Sequence, residues 1–92
     1  MKANNRFNLT DMQDNLEFQG FMTYDSRFNL SDSSSKLCHY GLIVFNDNIE
    51  LFNILNLKGE FLFQWQIQHK DEYHFHVFDK NGLLIFYGRI IQ

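Results

Sequence analysis

Glu60-Phe61-Leu62-Phe63-Gln64-Trp65-Gln66-Ile67-Gln68 alternates bulky apolar side chains with amides. Successive side chains of a β-strand point to opposite faces. This spacing therefore sends Phe61, Phe63, Trp65 and Ile67 to one side and Leu62, Gln64, Gln66 and Gln68, mostly amides, to the other. A helix would scatter the same residues around its axis. The stretch reads as a central strand of an antiparallel sheet.

The flanking segments take their register from it. Asn56-Leu57-Lys58-Gly59 and Asp79-Lys80-Asn81-Gly82 each suit a type I turn followed by a left-handed glycine, the chemistry of a three-residue hairpin loop. Asn81-Gly82 also suits a two-residue turn, which would move that pairing by one. A further loop is expected at His69-Lys70-Asp71. With three-residue loops throughout, one face collects Ile49, Leu51, Leu55, Phe61, Phe63, Trp65, Ile67, Tyr73, Phe75, Val77, Ile85 and Tyr87, the predicted core. The opposite face has a polar end (Glu50, Gln64, Gln66, His74, His76) and an apolar end (Phe52, Ile54, Leu62, Phe78, Leu84, Phe86). The apolar end is large for open surface, so either residues 6–45 or a partner must cover it.

The N-terminal half contains an internal repeat. Arg6-Phe7-Asn8-Leu9-Thr10-Asp11 returns as Arg27-Phe28-Asn29-Leu30-Ser31-Asp32, 21 residues later. The C-terminal half echoes itself at an offset of 23, with Phe52, Ile54, Asn56 and Gly59 matching Phe75, Val77, Asp79 and Gly82. A glycine, a hydrophobic run and an aromatic then align across four units, at Gly20–Tyr24, Gly41–Phe45, Gly59–Phe63 and Gly82–Phe86. Hairpin-sized units cannot bury a face alone, so they should stack or close on one another.

Thr10 and Gln13 have capping-box spacing, which allows a short helical turn before a strand near 16–24, with Gly20 as a candidate bulge. Residues 31–36 read as a flexible loop, 37–45 as an apolar strand, and 1–5 as a frayed end. The expected fold is one all-β domain over 1–92. It is an antiparallel up-and-down meander of about six to eight strands built from hairpin repeats, in a small barrel or a two-layer sheet.

A net charge of −3 with singly scattered Lys and Arg offers no cationic patch for phosphates, so no nucleic-acid partner is expected. No apolar stretch is long enough for a membrane span, so no membrane partner is expected either. A lone Cys38 and a polar start without a secretory apolar run point to a cytoplasmic protein.

Catalytic signatures are sparse. Glu72-x-His74-x-His76 places a carboxylate and two imidazoles on one strand face, a possible metal set. A solvated polar strand face has the same pattern, so no metal or other cofactor is assigned. Cys38 and His39 point to opposite faces of a strand and do not form a nucleophile–base pair. The chain reads as a non-enzyme acting by protein–protein contact, such as an inhibitor, immunity protein or adaptor. Its expected contact residues are Phe52, Ile54, Phe78 and Phe86, rimmed by Gln64, Gln66, His74 and His76. A homo-oligomer through the same surface is a close variant. Alternatives are a barrel holding a small apolar ligand between aromatic walls and, lower, a metal-binding protein through Glu72, His74 and His76.

Overall fold

A computed structural model describes residues 1–91. Eight strands follow one another: β1 (Arg6–Thr10), β2 (Leu16–Tyr24), β3 (Arg27–Asp32), β4 (Leu37–Asn46), β5 (Ile49–Leu55), β6 (Phe61–His69), β7 (His74–Phe78) and β8 (Leu84–Ile91). Each pairs antiparallel with the next, and β8 pairs with β1, closing a small barrel. Closure removes the outer edges that a proline-free sheet would otherwise leave unprotected.

The barrel is one hairpin built four times. At the end of each ascending strand stands Asp11, Asp32, Asn56 or Asp79. Its Oδ1 accepts the backbone N–H groups two and four residues on, at 2.8–3.0 Å in every unit. These bonds hold the loop in a closed turn. The residue three further on takes the left-handed conformation: Asp14 (φ 69°), Ser35 (65°), Gly59 (85°) and Gly82 (79°). Glycine, asparagine and aspartate adopt this region most readily; Ser35 is held there by its neighbours' hydrogen bonds.

Each descending strand then carries one extra residue. The register shifts between Leu9–Phe18 and Thr10–Leu16, between Leu30–His39 and Ser31–Leu37, between Ile54–Phe63 and Leu55–Phe61, and between Val77–Phe86 and Phe78–Leu84. The bulged residues are Glu17, Cys38, Leu62 and Ile85. Bulges of this kind sharpen local twist and help a small sheet to close.

Inside, each unit contributes a phenylalanine at the same place. Phe7 and Phe28 pair with Gly20 and Gly41, and Phe75 pairs with Gly88. The missing side chain leaves room for the ring. Phe52 breaks the pattern by pairing with Trp65. The four rings meet in the middle of the barrel, with centroids 4.8–6.1 Å apart. Leu9, Leu30, Ile54 and Val77 bury the layer towards the long loops, while Met22, Ile43 and Ile67 bury the layer towards the other end.

The bulges correct two expectations. One extra residue in β6 sets Phe52 against Trp65 and Ile54 against Phe63, so β5 faces inward through Glu50, Phe52 and Ile54. Ile49, Leu51 and Leu55 therefore face out. The bulge at Ile85 likewise turns Phe86 inward and Tyr87 outward. Trp65, Ile67, Phe75 and Val77 are core, as expected; Phe61, Phe63 and Tyr73 are exposed.

The aligned glycines are also of two kinds. Gly59 and Gly82 are loop residues equivalent to Asp14 and Ser35, whereas Gly20 and Gly41 lie under phenylalanine rings, like Gly88. Residues 11–15 form a hairpin loop with no helix, and Gly20 is not a bulge. The start of the chain is tied down: Asn4 N–H donates to the Met22 carbonyl at 2.8 Å and Ala3 N–H to Asp25 Oδ1 at 2.9 Å. The 31–36 segment is likewise fixed by the Asp32 carboxylate bonds to Ser34 and Lys36.

Candidate functional site

Three of the four joins between neighbouring hairpins share one register. Gly20 pairs with Leu30, Gly41 with Ile54 and Gly88 with Leu9. At the fourth join, Trp65 stands in the glycine's place and has no partner on β7. Ile67, two residues later, pairs with Val77 instead. β6 is thus slid by two residues along β7.

Two local features accompany the slip. Trp65 puts an indole at the position where, in the other units, a glycine lies under a phenylalanine ring. The connection over residues 70–73 is also longer than the turns at Asp25-Ser26 and Asp47-Asn48.

The slip leaves part of β6 unpaired. β6 pairs with β7 only through Gln66, Ile67, Gln68 and His69, so Phe61–Trp65 is bonded to β5 alone. The Lys70 N–H donates to the His74 carbonyl, so the even-numbered residues of β6 beyond the Leu62 bulge direct their backbone groups towards β7. Gln64 belongs to that set. Its counterparts Gln19, Tyr40 and Tyr87 pair with Ser31, Leu55 and Thr10. Among the described residues, no backbone hydrogen bond joins 61–65 to 79–83. A cavity of about 240 Å³, lined by Phe63, Gln64, Trp65, Asp79, Lys80 and Asn81, separates them.

The open edge is apolar. Phe61, Leu62 and Phe63 are 58%, 45% and 40% exposed. Phe63 also belongs to an aromatic cluster at the long-loop end of the barrel, with its ring 5.4 Å from Trp65 and 6.2 Å from His39. Phe18 and Phe86 complete the cluster. His39 stands where the other units carry phenylalanine, and its Nδ1 is buried without a hydrogen-bond partner. At the opposite end of the join, His69 Nε2 lies 2.6 Å from Glu50 Oε2, a carboxylate buried in the barrel.

The residues expected to form a contact surface do not gather. Phe52 and Ile54 are fully buried among the core rings, because the β6 bulge turned β5 over, and no partner can touch them in this fold. Phe86 points inward against Phe18 and Trp65. Phe78 is half-buried near His76, which packs against Tyr87 at 5.1 Å. Gln64 and Gln66 are exposed on β6, and Gln64 Nε2 donates to Asn53 Oδ1 at 2.6 Å. Of the apolar end that needed covering, Phe52 packs against Phe7 and Phe28 and Phe86 against Phe18, all in the N-terminal half, while Leu62 stays 45% exposed.

Glu72, His74 and His76 do not converge either. His74 Nδ1 bonds Asp71 at 2.9 Å, and among the described residues no group of three potential ligands is placed to hold a metal ion. The Asp71 carboxyl is held below the usual carboxylate range by the Tyr73 N–H and then by His74. Desolvation, with Lys70 nearby, lowers the His76 pKa. The Cys38 thiol lies 3.2 Å from the Leu30 carbonyl, and burial followed by the charge of Asp32 pushes its pKa up, which disfavours the thiolate.

No family model, curated protein or solved structure matched the chain.

The open edge was missed from sequence because Phe61 and Phe63 were placed in the core. One signal could have located it. Thirteen residues after Phe7, Phe28 and Phe75 stands a glycine; thirteen after Phe52 stands Trp65. The break in the repeat falls where the pairing breaks.

Proposed function

We propose that this protein is a non-enzymatic module that acts by protein–protein contact through the open edge of β6. An inhibitor, immunity protein or adaptor would work in this way. The observation that supports the reading is the unpaired Phe61–Trp65 segment, which joins free backbone groups at Gln64 to the exposed side chains of Phe61, Leu62 and Phe63. An unpaired strand edge gains main-chain hydrogen bonds from an extended segment of a partner, and alternate side chains supply selectivity. Closed barrels have no such edge, and the other three joins here are paired two residues further.

The middle of the barrel weighs against a stored apolar ligand, because the interlocked rings of Phe7, Phe28, Phe52 and Phe75 occupy that space.

The test is a photo-crosslinking amino acid placed at Leu62, with Tyr24 on another strand as the control position. In the native cell, Leu62 should give a discrete protein adduct and Tyr24 should not. Equal adducts at both positions, or none at Leu62, would remove the β6 edge from the function.

A further inference from the structure

We propose that a groove on the outer wall of the barrel, over β3, binds a small molecule that carries a carboxylate on an aromatic body. The groove shares no residue with the open segment of β6, so it stands apart from the function proposed above.

The two N-terminal repeats differ at this place. In the first, Arg6 pairs across the strands with Phe21, and its guanidinium lies over that ring, 5.5 Å from the centroid. In the second, Arg27 pairs with Leu42, which offers no aromatic face. Among the described residues, the exposed Arg27 side chain has no ion pair. Asp25 is the nearest acidic residue in the sequence, and its Oδ1 accepts the Ala3 N–H instead. The amide of Gln19 donates to the Asp32 carbonyl and to Ser35 Oγ in the first repeat; Tyr40 stands in its place in the second. The groove at Arg6 and Phe21 measures about 200 Å³, and that at Arg27 and Leu42 about 380 Å³.

The lining selects the occupant. Arg27 is its one charged side chain, so the ligand is an anion. A single planar guanidinium matches one carboxylate through two parallel N–H···O bonds. Tyr24 on β2 and Tyr40 on β4 stand on the strands that flank β3, and Leu42 and Leu55 add aliphatic surface. Walls of this kind favour an aromatic body over a polar one. Asn29, paired with Tyr40, adds an amide donor. A few polar groups among apolar walls, in a volume at the low end of small-molecule sites, suit a ligand of one ring.

Titration of the full chain with phenylacetate, followed by amide chemical shifts, tests this. A ligand of this size in an open groove binds in about the millimolar range. The shifts should gather on Tyr24, Arg27, Asn29 and Tyr40. Neutral phenylacetamide should bind about tenfold more weakly, the scale of a charge-assisted hydrogen bond. Arg27→Gln should weaken phenylacetate binding to the level of the amide, whereas Arg6→Gln, at the equivalent place in the first repeat, should leave it unchanged. Leu42→Phe supplies the ring that Arg6 already has. It should draw the Arg27 guanidinium onto that ring and weaken binding too, with an unchanged far-ultraviolet spectrum.

No shifts at the four residues up to about 20 mM phenylacetate, equal binding of acid and amide, or equal losses in Arg6→Gln and Arg27→Gln would overturn the proposal. A short peptide with a C-terminal phenylalanine that binds about tenfold tighter than phenylacetate would overturn it as well, by assigning the groove to the end of a protein chain.

Discussion

The ring of Phe7 lies on the backbone of Gly20: a Cβ built on the glycine would stand 2.1 Å from Phe7 Cζ. Gly41 meets Phe28 at 2.0 Å and Gly88 meets Phe75 at 2.2 Å in the same way. These are distances that neither group can accommodate without the ring leaving its place. Gly20→Ala, Gly41→Ala and Gly88→Ala should each destabilise the barrel by about 2–3 kcal/mol, the scale of core overpacking. Urea denaturation measures it. A loss below about 0.5 kcal/mol at all three would mean that the rings do not sit over the glycines.

Gly82 should behave differently. Nothing lies within 4 Å of a Cβ built there, and its φ of +79° is the region that Asp14 occupies at the equivalent loop position. Gly82→Asn should therefore cost no more than about 0.5 kcal/mol, because asparagine tolerates left-handed geometry. Gly82→Val, β-branched and ill-suited to positive φ, should cost more than about 1 kcal/mol. Equal losses for the two variants would contradict the loop assignment.

Asp79 and its three equivalents each accept two backbone N–H groups, in this loop from Asn81 and Leu83. Asp79→Ala leaves both exposed N–H groups to water and should cost about 0.5–1.5 kcal/mol by chemical denaturation. Asp79→Asn should retain most of the stability, because Asn56 makes the same two bonds in its own loop. An asparagine variant as unstable as the alanine variant would show that charge, not geometry, holds the turn.

His39 sits among Phe18 and Phe63 with a buried, unpartnered Nδ1. His39→Phe restores the residue type of the other three units and removes the cost of that nitrogen. It should raise stability by about 1–2 kcal/mol, seen as a higher midpoint in urea. A lower midpoint would mean that the imidazole has a partner in solution.

Acid should weaken the 70–73 turn. The Asp71 carboxyl titrates below its usual range when folded, chiefly because the Tyr73 N–H bonds its charged form. A depressed folded pKa contributes stability above the unfolded pKa, and that contribution is lost as pH falls through the folded value. Wild type should therefore exceed Asp71→Ala in melting temperature at neutral pH, and the gap should close below about pH 4. A gap independent of pH would assign the effect to something other than the charged carboxylate.

The fold class was legible because period-two burial is a local property. Phe75 and Val77, like Trp65 and Ile67, needed only their own strands to be placed inside. The repeated Phe-x-Leu-x-Asp of the first two units and its echo after Phe52 and Phe75 carried the hairpin architecture. The facing of β5 was not legible. It depends on whether Leu62 is paired or bulged, and a bulge has no strong composition of its own. One misplaced residue inverts an entire strand, so Phe52 and Ile54 went from core to expected surface. The open edge needed more still: a comparison of pairing across all four joins, in which Trp65 departs from glycine.

The main-chain amide of Gln64 tests that comparison most directly. Its counterparts Gln19, Tyr40 and Tyr87 are closed into strand pairs, whereas Gln64 faces the gap beside Asp79–Asn81. In dilute solution, hydrogen exchange resolved to single amides should show Gln64 exchanging orders of magnitude faster than the other three. Protection of Gln64 equal to theirs would mean that β6 and β7 pair along their full length, and the open edge, with the function proposed for it, would be gone.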